Sequence, residues 1–202
     1  MPSHFSDKTL EPVIKEPIQL IKRSIIVEIT DYLDEVLNQI EALDYEVEYS
    51  FDSQALFDVL NYDLPDGVNK SQKITFINDV VKQCQFFYDL CGSSSIRVQI
   101  KIITSNMCKL FHVDNIKQRL LCTYRGAGTE WLDNSNVNRE GLGHGDNLNI
   151  VKDFSKINTA NCFDVLILKG EKYSKLVNGG VHRSPSFESD SKTRVLLKID
   201  EI

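Results

Sequence analysis

The sequence predicts an α+β protein in which a helical N-terminal half packs against an all-β C-terminal half. Two changes of pattern carry that expectation. Up to Gly92 the apolar residues fall three and four apart, the period of helices with one buried face. Beyond Gly92 they alternate, in short runs separated by Asn, Gly and Ser clusters, as in a barrel or sandwich. A third observation sets the scale: 202 residues suffice for one well-buried domain and are short for two. The expected organisation is a single domain over residues 1–202, with 1–92 a mainly helical elaboration and 93–202 the β core.

Taken in order, residues 1 to about 24, with Pro12 and Pro17, read as a loose lead-in. The run Ile25 to Ile29 (IIVEI) reads as a first strand. Thr30 or Asp31 then caps a helix whose Leu33, Val36, Leu37, Ile40 and Leu43 share one face. In YEVEYSF, Tyr45, Val47, Tyr49 and Phe51 alternate with acidic or small residues, the signature of a half-buried strand. A short helix over Ser53 to Asn61 leads into the turn LPDG. From a Ser71 cap, Ile74, Ile77, Val80, Val81, Cys84, Phe87, Tyr88 and Cys91 mark an amphipathic helix that Gly92 ends in a left-handed conformation. The strands expected after it are IRVQIKIIT (Ile96 to Thr104), KLFHVD, RLLCTY, TEWL, FDVLILKG, GGVHRS and RVLLKID. The polar, glycine-rich stretch from Asn134 to Asn149 reads as a mobile loop able to close over a site.

A formal net charge of -6 argues against a surface built to follow phosphate backbones, so nucleic acid is not an expected partner. No apolar run is long enough for a membrane span and the first residues lack the pattern of a secretion signal, so a cytoplasmic location is expected. Cys84, Cys91, Cys108, Cys122 and Cys162 form an odd set with no CxxC pair, which suits free thiols in a reducing compartment.

The segment KLFHVD poses the chemical question. In a regular strand Cys108, Leu110, His112 and Asp114 point the same way, and an imidazole buried beside a carboxylate costs several kcal/mol unless a metal, hydrogen bond or water receives it. His182, preceded by Gly179 and Gly180, is the best third ligand. Two histidines and a carboxylate hold a divalent metal on one side and leave positions open. Arg194 follows about a dozen residues later, the length of a hairpin, and can bind a carboxylate bidentately near that metal. Tyr124, Thr123 and Arg119 can add polar contacts.

Other readings stay open from the residues alone. Cys108 is a soft fourth ligand, which would close a Zn(II) site, or a buried small hydrophobe. His144 is a solvated loop histidine or one that its glycine neighbours let approach the site. Glu130 and Trp131 mark a turn and strand at the substrate rim, with Trp131 packing in the core or stacking on substrate. Arg183 and Ser184 sit at the same rim, where Arg183 can pair with Glu188 or Asp190.

The order HxD, a strand with Tyr, FDVLILKG, then His182 and Arg194 resembles the double-stranded β-helix (jelly-roll, cupin-like) core of Fe(II)/2-oxoglutarate-dependent oxygenases. The resemblance implies that His112, Asp114 and His182 are iron ligands and that Arg194 anchors 2-oxoglutarate, with Tyr124 and Arg119 beside it. It also implies hydroxylation of an unidentified small-molecule or peptide substrate. FHVDNIKQRLLCTYRGAGTEWL, FDVLILKGE and VHRSP resemble more closely an uncharacterised bacterial family, domain of unknown function 1826. The competing expectation is a non-catalytic zinc-binding or sensing protein of the same fold, and a third is an interaction module that keeps the shell without the chemistry.

Overall fold

The structure is a computed structural model that describes residues 16–39, 42, 44–49, 52–105, 108–175, 177–185 and 193–202. Pro12, Ile40, Leu43, Phe51, Glu188 and Asp190, on which expectations above fell, lie outside them.

The chain runs β1 (Ile18–Ile21), α1 (Val27–Gln39), β2 (Asp44–Tyr49), α2 (Ser53–Asp63) and α3 (Lys70–Cys91) before its β-rich half. There follow β3 (Ile96–Ile103), β4 (Gln118–Arg125), β5 (Glu130–Trp131), β6 (Asn158–Thr159), β7 (Val165–Lys169), β8 (His182–Arg183) and β9 (Arg194–Glu201). Both sheets are antiparallel: a six-stranded one in the order β1-β7-β4-β9-β3-β2 and a three-stranded one in the order β6-β5-β8.

The protein is thus mixed α and β, but the boundary near residue 92 does not divide helices from strands. β1 and β2 come from the first half and form the two edges of the large sheet. Two expectations there are corrected. The strand expected at Ile25 to Ile29 is the entry to α1, which begins at Val27, and the first strand lies earlier, inside the expected lead-in. Ile25 and Val27 are exposed, so their β-branched character was not serving a sheet, whereas Ile29, Tyr32, Leu33 and Val36 are buried along one helical stripe. α3 begins one residue before Ser71, with the Asn69 side chain accepting from the Ser71 amide. Its far end is as expected: Gly92 takes φ 60°, a left-handed cap for which glycine carries no side-chain penalty.

α1 and α3 cover one face of the large sheet, and α2 packs on α3. Phe76, Ile77, Val80 and Phe87 of α3 meet Ile96, Val98, Ile100, Leu120, Cys122, Val195, Leu197 and Ile199 in the main core. Each such side chain contributes about 1.5–3 kcal/mol when fully buried. The other face carries a smaller cluster, Ile103, Leu121, Trp131, Ala160, Leu166, Leu168 and Leu196, where the short sheet packs across it. No helix among the described residues is long and apolar enough to cross a membrane.

KLFHVD is not a strand. Only His112 pairs, in an isolated bridge with His182, and the chain on either side is irregular. The stretch from Asn134 to Asn149 is likewise not an open loop. It holds three short 3-10 turns and a Val137–Val151 bridge, and it folds over a third apolar cluster with Phe111, Leu132, Ile150 and Val181.

Candidate metal centre and its cleft

His112, Asp114 and His182 come together although no regular strand places the first two. His112 and His182 exchange both backbone hydrogen bonds at 3.0 Å, which fixes their rings 4.7 Å apart between centroids. β8 is held in turn by β5, with Trp131 opposite His182, and by the Leu132 amide donating to the Val181 carbonyl. On the other side, Asn147 pins the HxD segment: its Oδ1 accepts from the Phe111 amide at 2.8 Å and its Nδ2 donates to the Lys109 carbonyl at 2.9 Å. The expected lid is therefore a brace beneath the site.

One donor atom from each of the three side chains lies within 4.8 Å of the others. The second ring nitrogens decide their electronic state. Nδ1 of His112 lies 2.9 Å from the Leu110 carbonyl and Nδ1 of His182 lies 3.2 Å from the Gly180 carbonyl. A carbonyl only accepts, so each Nδ1 carries the proton and each Nε2 is left as the donor for an ion. Both Nε2 atoms face the Asp114 carboxylate, at 3.4 and 3.2 Å. Two lone pairs facing an anion are stable only with a cation or protons between them. The donor set, its tautomers and the carbonyl-oriented rings fit a divalent metal, with hydrogen-bonded outer partners of the usual kind.

The electrostatics agree. Where no ion is bound, protons on the Nε2 atoms take its place: burial opposes ionisation of Asp114, but hydrogen bonds from both histidines and the charges of His182 and Arg119 outweigh it and hold the carboxyl well below the usual range. The same contact to Asp114, against a smaller effect of burial, raises His112.

Arg119 does not extend toward a cosubstrate as expected. Its Nη1 binds Asp114, while Nε and Nη2 take both oxygens of Asp200, the latter at 2.8 Å. Burial works against its charge, and the two carboxylates more than restore it. Arg119 thus stands behind the Asp114 carboxylate and holds its orientation.

Tyr124 is a second correction. On β4, Arg119 and Leu121 line the cleft and Thr123 bonds to Arg194 on the same side, so Leu120, Cys122 and Tyr124 face the helices. Tyr124 is buried against Phe76 and Phe163, and its hydroxyl donates to Asp79 at 2.6 Å. Arg23 pairs with the same carboxylate.

Arg194 is 2% exposed, at the start of β9. Nη2 donates to Thr123 Oγ1 at 2.9 Å and to Thr129 Oγ1 at 2.6 Å, and Nε donates to Thr123 at 3.2 Å. No carboxylate among the described residues lies within ion-pair distance of it. Burial draws this guanidinium down to about 10, with only weak opposition from Cys162 and Cys122. A buried cation held by two neutral hydroxyls is prepared for an anion from outside the protein. Gly128 sets the Thr129 backbone: a Cβ there would lie 1.9 Å from the Ala160 carbonyl oxygen.

Cys108 is exposed at the cleft rim and does not belong to the three-residue cluster, so it is neither the buried hydrophobe nor a ligand in this arrangement. The cause is the irregular chain: without strand geometry, the alternation that would align Cys108 with His112 is lost. Its carbonyl instead accepts from the Ser184 amide. Arg183 pairs with Glu130 at 2.6 Å and lies 4.5 Å over the Phe111 ring. Trp131 packs between the sheets, and His144 sits exposed in a turn. Thr129, Asp200 and Asn147 were not foreseen. Asp200 carried a signal, since it shares a strand face with Arg194; Thr129 and Asn147 carried none.

The sequence profile of the family described as "Protein of unknown function (DUF1826)" matches residues 9–200. No curated protein matches this sequence. Among solved structures, a full-length Neurospora crassa protein in complex with alpha-KG is 10% identical and aligns over 92% of this chain and 73% of its own, at a TM-score of 0.51. That likeness shows a shared fold. The iron-bound HygX of Streptomyces hygroscopicus is 10% identical over 92% of this chain and 82% of its own, at 0.43. The dioxygenase for auxin oxidation 1 of Arabidopsis thaliana, in a complex with 2-oxoglutarate, is 9% identical over 80% of this chain, at 0.45. This chain spans 62% of that one, less than two thirds.

Proposed function

For this chain, which belongs to the DUF1826 family, we propose the function of a non-haem Fe(II)/2-oxoglutarate-dependent oxygenase built on a double-stranded β-helix. One observation carries the reading: the convergence of His112, Asp114 and His182 in the same cleft as a buried Arg194 that has no carboxylate partner among the described residues. His112, Asp114 and His182 would hold the metal, and Arg194 with Thr123 and Thr129 would hold the far carboxylate of 2-oxoglutarate. Oxidative decarboxylation of that 2-oxo acid by dioxygen, one oxygen atom going to succinate as CO2 leaves and the other to a substrate C–H bond, is the chemistry such a centre would supply when loaded.

The chain's own residues do the rest. The Leu110 and Gly180 carbonyls keep the imidazoles oriented and neutral at Nε2. Arg119 and Asp200 hold the Asp114 carboxylate in one orientation. Leu121 and Leu196 form the apolar floor that keeps water away between the two ends of the cleft.

The test is an anaerobic titration of metal-free protein with Fe(II) and then 2-oxoglutarate. A weak visible charge-transfer band is expected, and Arg194→Ala should abolish it at equal cosubstrate. Tight metal binding without the band would favour the zinc-binding or sensing alternative, and no tight metal binding would favour the interaction module.

A further inference from the structure

The cleft is more cationic than metal ligation and the Arg194 anchor require. Among the described residues, Lys101, Arg119, Arg183, Arg194 and Lys198 all line it, against one lining carboxylate, Asp114. Arg119 is taken up by Asp114 and Asp200, and Arg183 by Glu130. Lys198 is different. Its side chain is only 24% exposed, and its nearest carboxylate, Asp200 at 3.7 Å, already gives both oxygens to Arg119. Lys101 projects from the adjacent β3, where Leu196 is its partner across the ladder, so the two lysines stand diagonally on one face. Among the described residues Lys101 pairs with the exposed Asp44 alone, at 3.2 Å. Two like charges side by side on a half-buried wall are unfavourable unless an anion joins them.

Position separates this pair from the anchor. Lys198 lies four residues along β9 from Arg194, roughly 13 Å at strand rise, too far for one end of a five-carbon diacid to meet both. It lies instead on the Asp114 side of the cleft: Asp200, 3.7 Å from the Lys198 ammonium, is held by Arg119, which also binds Asp114. The cleft itself, about 180 Å³, takes a small molecule.

We propose that Lys198 and Lys101 form a second anion subsite and that the substrate is a small molecule bearing a carboxylate or phosphate group read by these two ammoniums. Calling the bound anion a substrate rests on the oxygenase reading; the subsite itself does not.

The test therefore needs neither iron nor turnover. The full chain, labelled with nitrogen-15, is titrated with inorganic phosphate, and the amides of Leu196 and Lys198 are followed by NMR. Saturable shifts are expected in the parent and in Arg194→Met. They should weaken at least about tenfold in the Lys101→Met/Lys198→Met double variant and return in Lys198→Arg. Both lysines are surface-accessible, and preserved spectral dispersion verifies the fold of each variant. Shifts that survive in the double variant, that vanish in Arg194→Met alone, or that chloride reproduces equally would overturn the proposal. A parent that binds phosphate at the lysines but forms no charge-transfer band would remove the oxygenase reading and leave the subsite. A band without phosphate binding would do the reverse. Once the subsite stands, 2-oxoglutarate consumption stimulated by carboxylates or by phosphate esters distinguishes the two sources, and stimulation confined to neutral or cationic molecules would overturn the substrate assignment.

Discussion

On β9, Val195, Leu197 and Ile199 are fully buried against the helices, while Arg194, Leu196, Lys198 and Asp200, one residue out of step, face the cleft or stand behind it. β4 repeats the division, with Leu120, Cys122 and Tyr124 inward and Arg119, Leu121 and Thr123 toward the site. The strands are shared but the two faces answer to different physics. On the helix face, removal of apolar area from water governs, and the Tyr124, Asp79 and Arg23 side chains satisfy one another there. On the cleft face, charges are held by one another or left for a ligand, which stabilises little and prepares binding.

If that division holds, substitutions on the two faces should separate stability from binding. The largest effect is expected for Leu197→Ala, about 2–5 kcal/mol of lost stability in urea denaturation. Its remaining folded fraction should bind 2-oxoglutarate as the parent does. Loss of binding ahead of unfolding would mean that the faces are coupled. The mirror case is Arg194→Met, where cosubstrate affinity should fall roughly 100-fold, near 2.7 kcal/mol, by titration of the band. Its melting temperature should stay level or rise, because a buried cation with no carboxylate partner among the described residues is replaced by an apolar chain of similar length. A clear drop would show that the guanidinium is structural.

Tyr124→Phe sharpens the comparison between neighbours in sequence. It leaves the buried Asp79 one donor short and should cost about 1–3 kcal/mol, with 2-oxoglutarate affinity unchanged within about twofold. A tenfold weaker cosubstrate would return Tyr124 to the site. The smallest effect concerns pH. His112 gains a partner on folding and its folded value is raised, so in metal-free protein its stabilising contribution is fully present below the unfolded value and is lost as pH rises through the folded one. Melting temperatures of metal-free protein should therefore decline across that window, and His112→Asn should flatten the decline. An unchanged profile would place the titration elsewhere.

The residue types and order of the candidate site were readable in the chain, because a metal-binding pattern of His, Asp and His followed by Arg is carried by identity and spacing. The helical periods of α1, α2 and α3 and the alternation of β2 were readable because burial on one side imposes a period, whereas β3, β4, β7 and β9, largely buried on both faces, were readable as short apolar runs bounded by turn residues. Where the reading failed, the cause was long-range. Nothing local indicated that Ile18–Ile21 finds an edge beside β7, or that His112 pairs with His182 from an irregular segment.

Alternation along β4 fixed that Arg119 and Thr123 share a face that Tyr124 does not, since successive side chains of a strand point oppositely. Only the packing of α1 and α3 decided which of those faces became core and which became cleft, because both carry apolar and polar residues and the choice depends on what covers them. In the same way the sequence supplied Asp200 and Thr129 as residue types, and their contacts came from partners 81 and 65 positions away, Arg119 and Arg194.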